Sequence, residues 1–492
     1  MKPLYLISFV PIVLALSDLK PPVSPETFPS LINLDDLLHG AQILEDFAYS
    51  YPDRNRVFGG AAHTDTINYL YDELQKTGYY DVVKQPQTHL WTKSEQKLTV
   101  GGGSIAAGAM TYSPSVNVTA EVVVIDNEGC NAADYPTDVA GKIALVERGV
   151  CTFGEKSVMA ASVRAAAAIV YNDADGSMSG TLGSSSSPLG PYAPIVGISH
   201  SDGQSLFNRL ESGTVMAELY INSLMENRTT YNVIAQTKGG DPKNVVALGG
   251  HTDSVEAGPG INDDGSGIIS NLVIAKALAQ FEVKNAVRFL FWTAEEFGLL
   301  GSDHYVSNLN ETDLDSIRLY LNMDMIASPN YALMIYDGDG SDYNKTGPKG
   351  SAEIEHLFES YFDSINLPYL ATEFNGRSDY AAFIENDIPA GGLFTGAEEI
   401  MSKEDAEVFK GKEGLAYDAN YHAAGDNMTN LNHEAFLINS KATAFAVATY
   451  ANSLDSIPKH NSTMKLMSSM KRMIKSPVNH SHGGCFHTAV LI

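Results

Sequence analysis

Apolar residues recur at helical spacing between about residues 35 and 80. Leu37, Leu38, Ile43, Leu44 and Phe47 form one set, and Ile67, Tyr69, Leu70, Tyr71 and Leu74 a second. They predict two helices, with Arg56-Val57-Phe58-Gly59-Gly60 as the turn between them. From about Asn117 the texture changes. Glu121-Val122-Val123-Val124-Ile125, Lys142-Ile143-Ala144-Leu145-Val146 and Ala168-Ile169-Val170-Tyr171 read as short strands separated by Gly, Asp and Asn. An alanine-rich helix is expected from Glu155 to Ala168, and a Gly- and Ser-rich loop from Gly176 to Ser187. From Val233 onward the pattern alternates. Apolar runs at Val245–Leu248, Val287–Trp292, Leu319–Leu321 and Ala390–Phe394 predict strands, and helices are expected at about Gly267–Phe281 and Gly298–Ser307. Such alternation predicts an α/β fold with a mixed, largely parallel sheet flanked by helices, preceded by a stretch of different, β-type texture over residues 117–230.

Length and composition add a compartment. A chain of 492 residues is too long for one small core, so two domains with appendages are expected. The net charge of −27 argues against binding nucleic acid or anionic membranes through a basic surface. Met1-Lys2 precedes an apolar run from Leu4 to Leu16, and Ala15-Leu16-Ser17 offers a small-residue cleavage site. Residues 1–17 therefore read as a secretory signal peptide, too short for a membrane anchor, with a buried first helix as the rival reading. Asn117, Asn227, Asn310, Asn344, Asn427, Asn461 and Asn479 head Asn-X-Ser/Thr sequons, which fits a secreted glycoprotein. The three cysteines, Cys130, Cys151 and Cys485, permit one bridge at most. Cys130 and Cys151 lie on neighbouring β-type segments and are expected to pair, leaving Cys485 free. Residues 458–492 hold five Lys or Arg and no acid, and read as a basic tail, poorly ordered at least in part.

The candidate chemistry sits where the apolar runs end. His251-Thr252-Asp253 follows Leu248, and Asn262-Asp263-Asp264-Gly265-Ser266-Gly267 leads into a helix. Glu295-Glu296 follows Trp292, Asp324 follows Leu321-Asn322-Met323, and Tyr421-His422 lies before Asp426. Each fragment alone is weak, because a strand-end Asp is usually a cap and a Glu pair usually a solvated helix start. Their position changes the odds: ligands bind at the carboxyl ends of strands in open α/β sheets. Mixed nitrogen and oxygen donors suit zinc, and a shared carboxylate suits a pair of ions about 3.5–4 Å apart.

In order and wording these motifs resemble the zinc aminopeptidase family with two co-catalytic zincs. Trp292-Thr293-Ala294-Glu295-Glu296-Phe297-Gly298-Leu299-Leu300-Gly301-Ser302 and Gly376-Arg377-Ser378-Asp379-Tyr380 carry the resemblance most specifically. With the insertion and the Cys-Phe-His tail, the likeness is to secreted or vacuolar fungal leucine aminopeptidases. It implies a zinc-exopeptidase fold. It also implies that Asp263 bridges two zinc ions, with His251 and Asp324 on one and Glu296 and His422 on the other. Asp253 would orient His251, Glu295 would be general base and then general acid, and Tyr421 would stabilise the oxyanion. A cis peptide between Asp263 and Asp264 is implied as well. Residues 117–230 resemble the protease-associated domain, notably Gly141–Gly149 and Cys151-Thr152-Phe153; a lid or filter role and a passive insertion both stand. The expected layout is a signal over 1–17, peptidase parts at 18–116 and 231–457 (a short pro-segment opening the first), and the insertion between them. The implied reaction removes single residues, preferably leucine and other large apolar ones, from peptides with a free N-terminus. The expected state is a monomer, extracellular or in the vacuole lumen. A carboxypeptidase of the same superfamily and a receptor-like homologue without chemistry are the rivals. The first needs an arginine cluster for a terminal carboxylate, and only Arg377 lies near the motifs; the second needs a lost ligand, and none is lost.

Overall fold

The computed structural model describes residues 20–173, 176 and 178–459. The expected signal peptide, Asn461, Asn479, Cys485 and the expected tail from His460 lie outside the described residues. In chain order the helices are α1 (Leu34–Tyr49), α2 (Ala61–Lys76), α3 (Phe153–Ser162), α4 (His200–Glu211), α5 (Gly265–Leu278), α6 (Leu300–Ser307), α7 (Glu311–Ser316), α8 (Ser351–Ser364), α9 (Tyr380–Ile384), α10 (Lys403–Phe409) and α11 (His433–Asn452). The strands are β1 (Tyr80–Val100), β2 (Gly103–Ile105), β3 (Ala107–Ala109), β4 (Val116–Val124), β5 (Ile143–Glu147), β6 (Ala167–Tyr171), β7 (Ile195–Ile198), β8 (Met216–Thr237), β9 (Asp241–His251), β10 (Asn285–Trp292), β11 (Ile317–Met323), β12 (Met334–Tyr336), β13 (Leu370–Thr372) and β14 (Ala390–Phe394). They form two compact units. One contains the described residues up to Gln87 and from Thr230 onward, the other Thr88–Thr229.

In the first unit the strand order is β13-β12-β14-β11-β9-β10-β8. β14, β11, β9 and β10 run parallel, while β8 and β12 join antiparallel. Every residue of β11 is buried, as expected of a parallel strand covered on both faces. Helix α1 starts where the Asn33 side chain accepts the Asp36 N–H, and it buries Leu37, Ala41, Leu44 and Ala48 at helical spacing. Its Gly40 lies so close to α5 that a Cβ there would meet Ile269 Cγ2 at 2.6 Å. This α1–α5 face, with α11, carries the larger core, and an aromatic cluster of Trp292, Tyr305, Tyr320 and Phe383 fills the opposite face. The segment before α1 belongs to the same core: Val23 and Phe28 are buried, and the Val23 N–H donates to the Glu282 carbonyl at 3.0 Å.

In the second unit β4, β5, β6 and β7 run parallel, with β8 and β3 antiparallel at the two ends and β1 pairing β2 and β8. Cys130 and Cys151 are joined in a disulfide, their Cα atoms 5.8 Å apart. The alanine-rich helix ends at Ser162, earlier than its composition suggests. Arg164 takes the left-handed conformation (φ 63°), which stops the helix and releases the next alanines into β6. Among the described residues no helix is long and apolar enough to cross a membrane.

Candidate metal centre

Three adjacent parallel strands, β11, β9 and β10, deliver the first groups at their carboxyl ends. His251 is the last residue of β9 and pairs in register with Trp292 of β10. The chain leaves β10 through Ala294 (φ 56°), and Glu295 and Glu296 follow. Asp324 comes directly after β11. Asp263 lies in the turn entering α5, joined to Asp264 by a cis peptide bond. His422 arrives from the turn spanning Asp418–Asp426, in a left-handed conformation (φ 55°).

The five groups converge. His251 Nε2 lies 3.1 Å from Asp263 Oδ1 and 3.6 Å from Asp324 Oδ1. His422 Nε2 lies 3.1 Å from the other oxygen, Asp263 Oδ2, and 3.0 Å from Glu296 Oε2. Asp263 thus offers one oxygen to each imidazole, and each imidazole has a further carboxylate of its own. Ligand atoms held at 2.0–2.1 Å around a tetrahedral zinc stand about 3.3 Å apart, so both groupings have the right spacing. The residues also fit the ion in a second way: Glu296 Oε1 and Asp324 Oδ1 are buried without a hydrogen-bond partner. Unsatisfied carboxylate oxygens of this kind are costly unless a cation takes them.

Neighbouring groups hold these side chains in place. The Nδ1 of His251 faces the main-chain carbonyl of Asp253 at 3.2 Å, which leaves Nε2 pointing at Asp263 and Asp324. The Asp253 carboxylate itself stands 3.8 Å from that ring and accepts the Glu295 N–H at 3.1 Å. The Glu295 carboxylate reaches within 3.8 Å of His251 Nε2. Burial raises the Glu295 carboxyl well above the ordinary carboxylate range, against the pull of His251 and with repulsion from Glu296 added. For Asp263 burial works the same way, but hydrogen bonds from His251 and His422 outweigh it and hold the carboxyl low. The Tyr421 ring stacks on His422 with centroids 3.9 Å apart, and its hydroxyl oxygen accepts from Arg377 Nη2 at 3.2 Å.

Several contributors stand inside or beside the quoted motifs, yet nothing local in the sequence assigns them their role. Asp426 accepts the N–H groups of Asn262 and Asp263, at 2.8 and 3.1 Å. Asp264 is within reach of His251 and Asp324, yet its oxygens accept the N–H groups of His251, Gly267 and Met325, which makes it an anchor rather than a ligand. Ser378 donates to Asp324 Oδ2 at 2.6 Å and accepts from Asn322.

Residues 232–447 match the model of peptidase family M28, and residues 118–206 match that of the PA domain. A probable leucine aminopeptidase 2 of Aspergillus oryzae is 68% identical over 95% of this chain and 96% of its own length. The chain belongs to peptidase family M28. A probable leucine aminopeptidase 2 of Aspergillus fumigatus is 67% identical over 100% of this chain and 99% of its own length. Among solved structures, the aminopeptidase from Aneurinibacillus sp. strain AM-1 is 27% identical, with a TM-score of 0.68, covering 89% of this chain and 98% of that one. Because the first unit takes residues from both sides of Thr88–Thr229, the PA domain is an insertion in an M28 peptidase, and His251, Asp263, Glu295, Glu296, Asp324 and His422 all lie inside the M28 match.

Proposed function

We propose that this chain is a secreted two-zinc aminopeptidase that releases single N-terminal residues, leucine and other large apolar ones preferentially, from peptides. The observation that carries this reading is the division of Asp263, one oxygen toward His251 and the other toward His422. His251, Asp263 and Asp324 would hold one ion and Glu296, Asp263 and His422 the other. Zinc so held would supply Lewis acidity, lowering the pKa of a water and polarising the scissile carbonyl. Glu295 would take a proton from the attacking water as the water oxygen bonds to the carbonyl carbon, and would hand it to the leaving nitrogen as the C–N bond breaks. Tyr421 donates to the carbonyl oxygen as it gains negative charge, and the Arg377 guanidinium, which donates to the same hydroxyl oxygen, makes the hydroxyl a better donor. The acidic surroundings suit a substrate ammonium group. A carboxypeptidase is disfavoured because Arg377 is already held by Glu398, at 2.9 Å, and by Tyr421. The leucine preference rests on the fungal relatives, and secretion on the N-terminal signal.

Two neighbouring glutamates test the assignment. Glu295→Gln keeps zinc content and lowers turnover by about 10²–10⁴, the loss typical of a missing general base. Glu296→Gln loses turnover together with part of the bound zinc, and added zinc partly restores it. Zinc analysis and hydrolysis of Leu-p-nitroanilide, with its N-acetyl form as control, read both variants. Near-normal turnover of Glu295→Gln rules out this base, and hydrolysis of the acetylated substrate rules out the aminopeptidase.

A further inference from the structure

Arg56 lies about two hundred residues before the metal centre in sequence and is fully buried beside it. Its guanidinium has no carboxylate partner at hydrogen-bond distance among the described residues. It donates instead to three main-chain carbonyls: Nε to Pro259 at 2.7 Å, Nη1 to Thr252 and Nη2 to Gly260. Its own N–H donates to Ser254 Oγ at 2.8 Å, and that hydroxyl donates on to the Gly258 carbonyl at 2.9 Å. All these acceptors belong to the segment joining His251 to Asp263. That segment has no regular structure of its own, and its shape decides where the two groups stand relative to each other. The fit is tight at Gly260 (φ 64°), where a Cβ would lie 2.3 Å from the Asp263 carbonyl oxygen and 3.2 Å from Arg56 Nη2.

The charge has a consequence as well. A buried cation without a counter-ion is costly. The acids near enough to act on Arg56 are Asp253, Asp426, Asp264 and Asp263, those of the centre itself. Arg56 therefore meets the acid-rich site through the backbone, without occupying any carboxylate oxygen that an ion needs.

We propose that Arg56 is a positioning residue of the metal centre, clamping the Thr252–Gly260 segment so that His251 and Asp263 stand at zinc-binding separation. The proposal rests on the two-zinc reading given above. Lysine keeps the charge but offers a point donor on a flexible stem, which cannot span three diverging carbonyls. Arg56→Lys is therefore expected to fold and to bind zinc at least about tenfold more weakly, the scale of loss seen when supports of metal ligands are removed. Zinc affinity is measured by chelator competition, and thermal unfolding of the metal-free and zinc-loaded forms is measured beside it. The expected result is a metal-free melting temperature near wild type and a clearly smaller rise on adding zinc. Equal losses of melting temperature in both forms, with unchanged zinc affinity, would mean an ordinary structural role and overturn the proposal. Should Arg56→Lys not accumulate folded, the same competition on Ser254→Ala, which removes the acceptor of the Arg56 N–H, decides it: weaker zinc binding supports the clamp and unchanged binding overturns it. Wild-type protein that takes up no zinc would overturn the two-zinc reading along with it, so the two failures are distinguishable.

Discussion

His63 offers a test of the site's surroundings that needs no substrate. The ring is fully buried on α2. Its Nδ1 accepts the Gly59 N–H at 3.2 Å, and its Nε2 faces Thr252 Oγ1 at 2.8 Å. Because the Thr252 hydroxyl donates to the Trp292 carbonyl at 2.6 Å, its oxygen must accept from Nε2–H. The neutral ring thus satisfies every bond, and a second proton would collide with the Gly59 amide. Burial, then the charge of Arg56, depress the pKa from 6.5 to about 3. The sign follows directly. The unfolded chain takes up this proton near pH 6.5 while the folded chain refuses it, so the contribution is complete above pH 6.5 and is lost as the pH falls toward 3. At about 1.4 kcal/mol per pH unit the full loss is roughly 5 kcal/mol, a large part of an ordinary domain's stability. His63→Gln removes the titration and costs about 1–3 kcal/mol in hydrogen bonding at neutral pH. Unfolding free energies of both proteins, zinc-loaded, are compared by denaturant titration from pH 7.5 to 5. The wild type's advantage is expected to shrink by about 1.4 kcal/mol per pH unit below 6.5, by roughly 2 kcal/mol at pH 5. A difference between the two proteins that stays constant across that range refutes the reasoning.

Two further outcomes follow from the same structure. Asp426→Asn keeps the shape but turns an N–H donor toward one of the amides of Asn262 and Asp263; zinc affinity should fall about 10–100-fold, as read by chelator competition, with the fold intact by circular dichroism. Phe28→Ala empties a fully buried position whose ring packs edge-on against Phe281 at 5.6 Å, and should cost about 3–5 kcal/mol in unfolding free energy. A near-zero loss would show that the chain before α1 is dispensable to the peptidase unit.

The strands that carry the ligands were legible because parallel strands covered on both faces are continuous apolar runs, and β9, β10, β11 and β14 each contain one. The long strands β1 and β8 were not. Over much of their length half-exposed polar residues such as Lys84, Gln85, Ser94 and Ser223 blur the two-residue alternation. Helix α11 hid for another reason. Nearly all round it is buried and built from small residues, so it shows no apolar stripe against a polar face. Arg56 stood in a predicted turn and Ser378 in a motif that carried the family resemblance, but their partners lie 196–204 and 54–56 residues away, and no spacing rule reaches so far.

Asp263 and Asp264 show what the fold adds to adjacent, identical letters. Both are buried, and nothing in the sequence distinguishes them except a resemblance. In three dimensions their acceptors are used differently. Asp264 takes main-chain amides from β9, from α5 and from the turn after β11, so its charge is spent on tying three segments together. Asp426 does the same for the turn before α5. Asp263 faces two imidazoles, and Asp324 and Glu296 keep an oxygen with no hydrogen-bond partner. An acid buried to fix a loop has its oxygens filled by amides, whereas an acid buried for an ion keeps oxygens that only a cation or its ligands can satisfy. The same comparison explains why so many carboxylates can crowd one place. The amide-filled ones are partly neutralised by aligned dipoles and by the buried charge of Arg56. The remaining excess, borne by Asp263, Glu295, Glu296 and Asp324, is the part that bound zinc would balance.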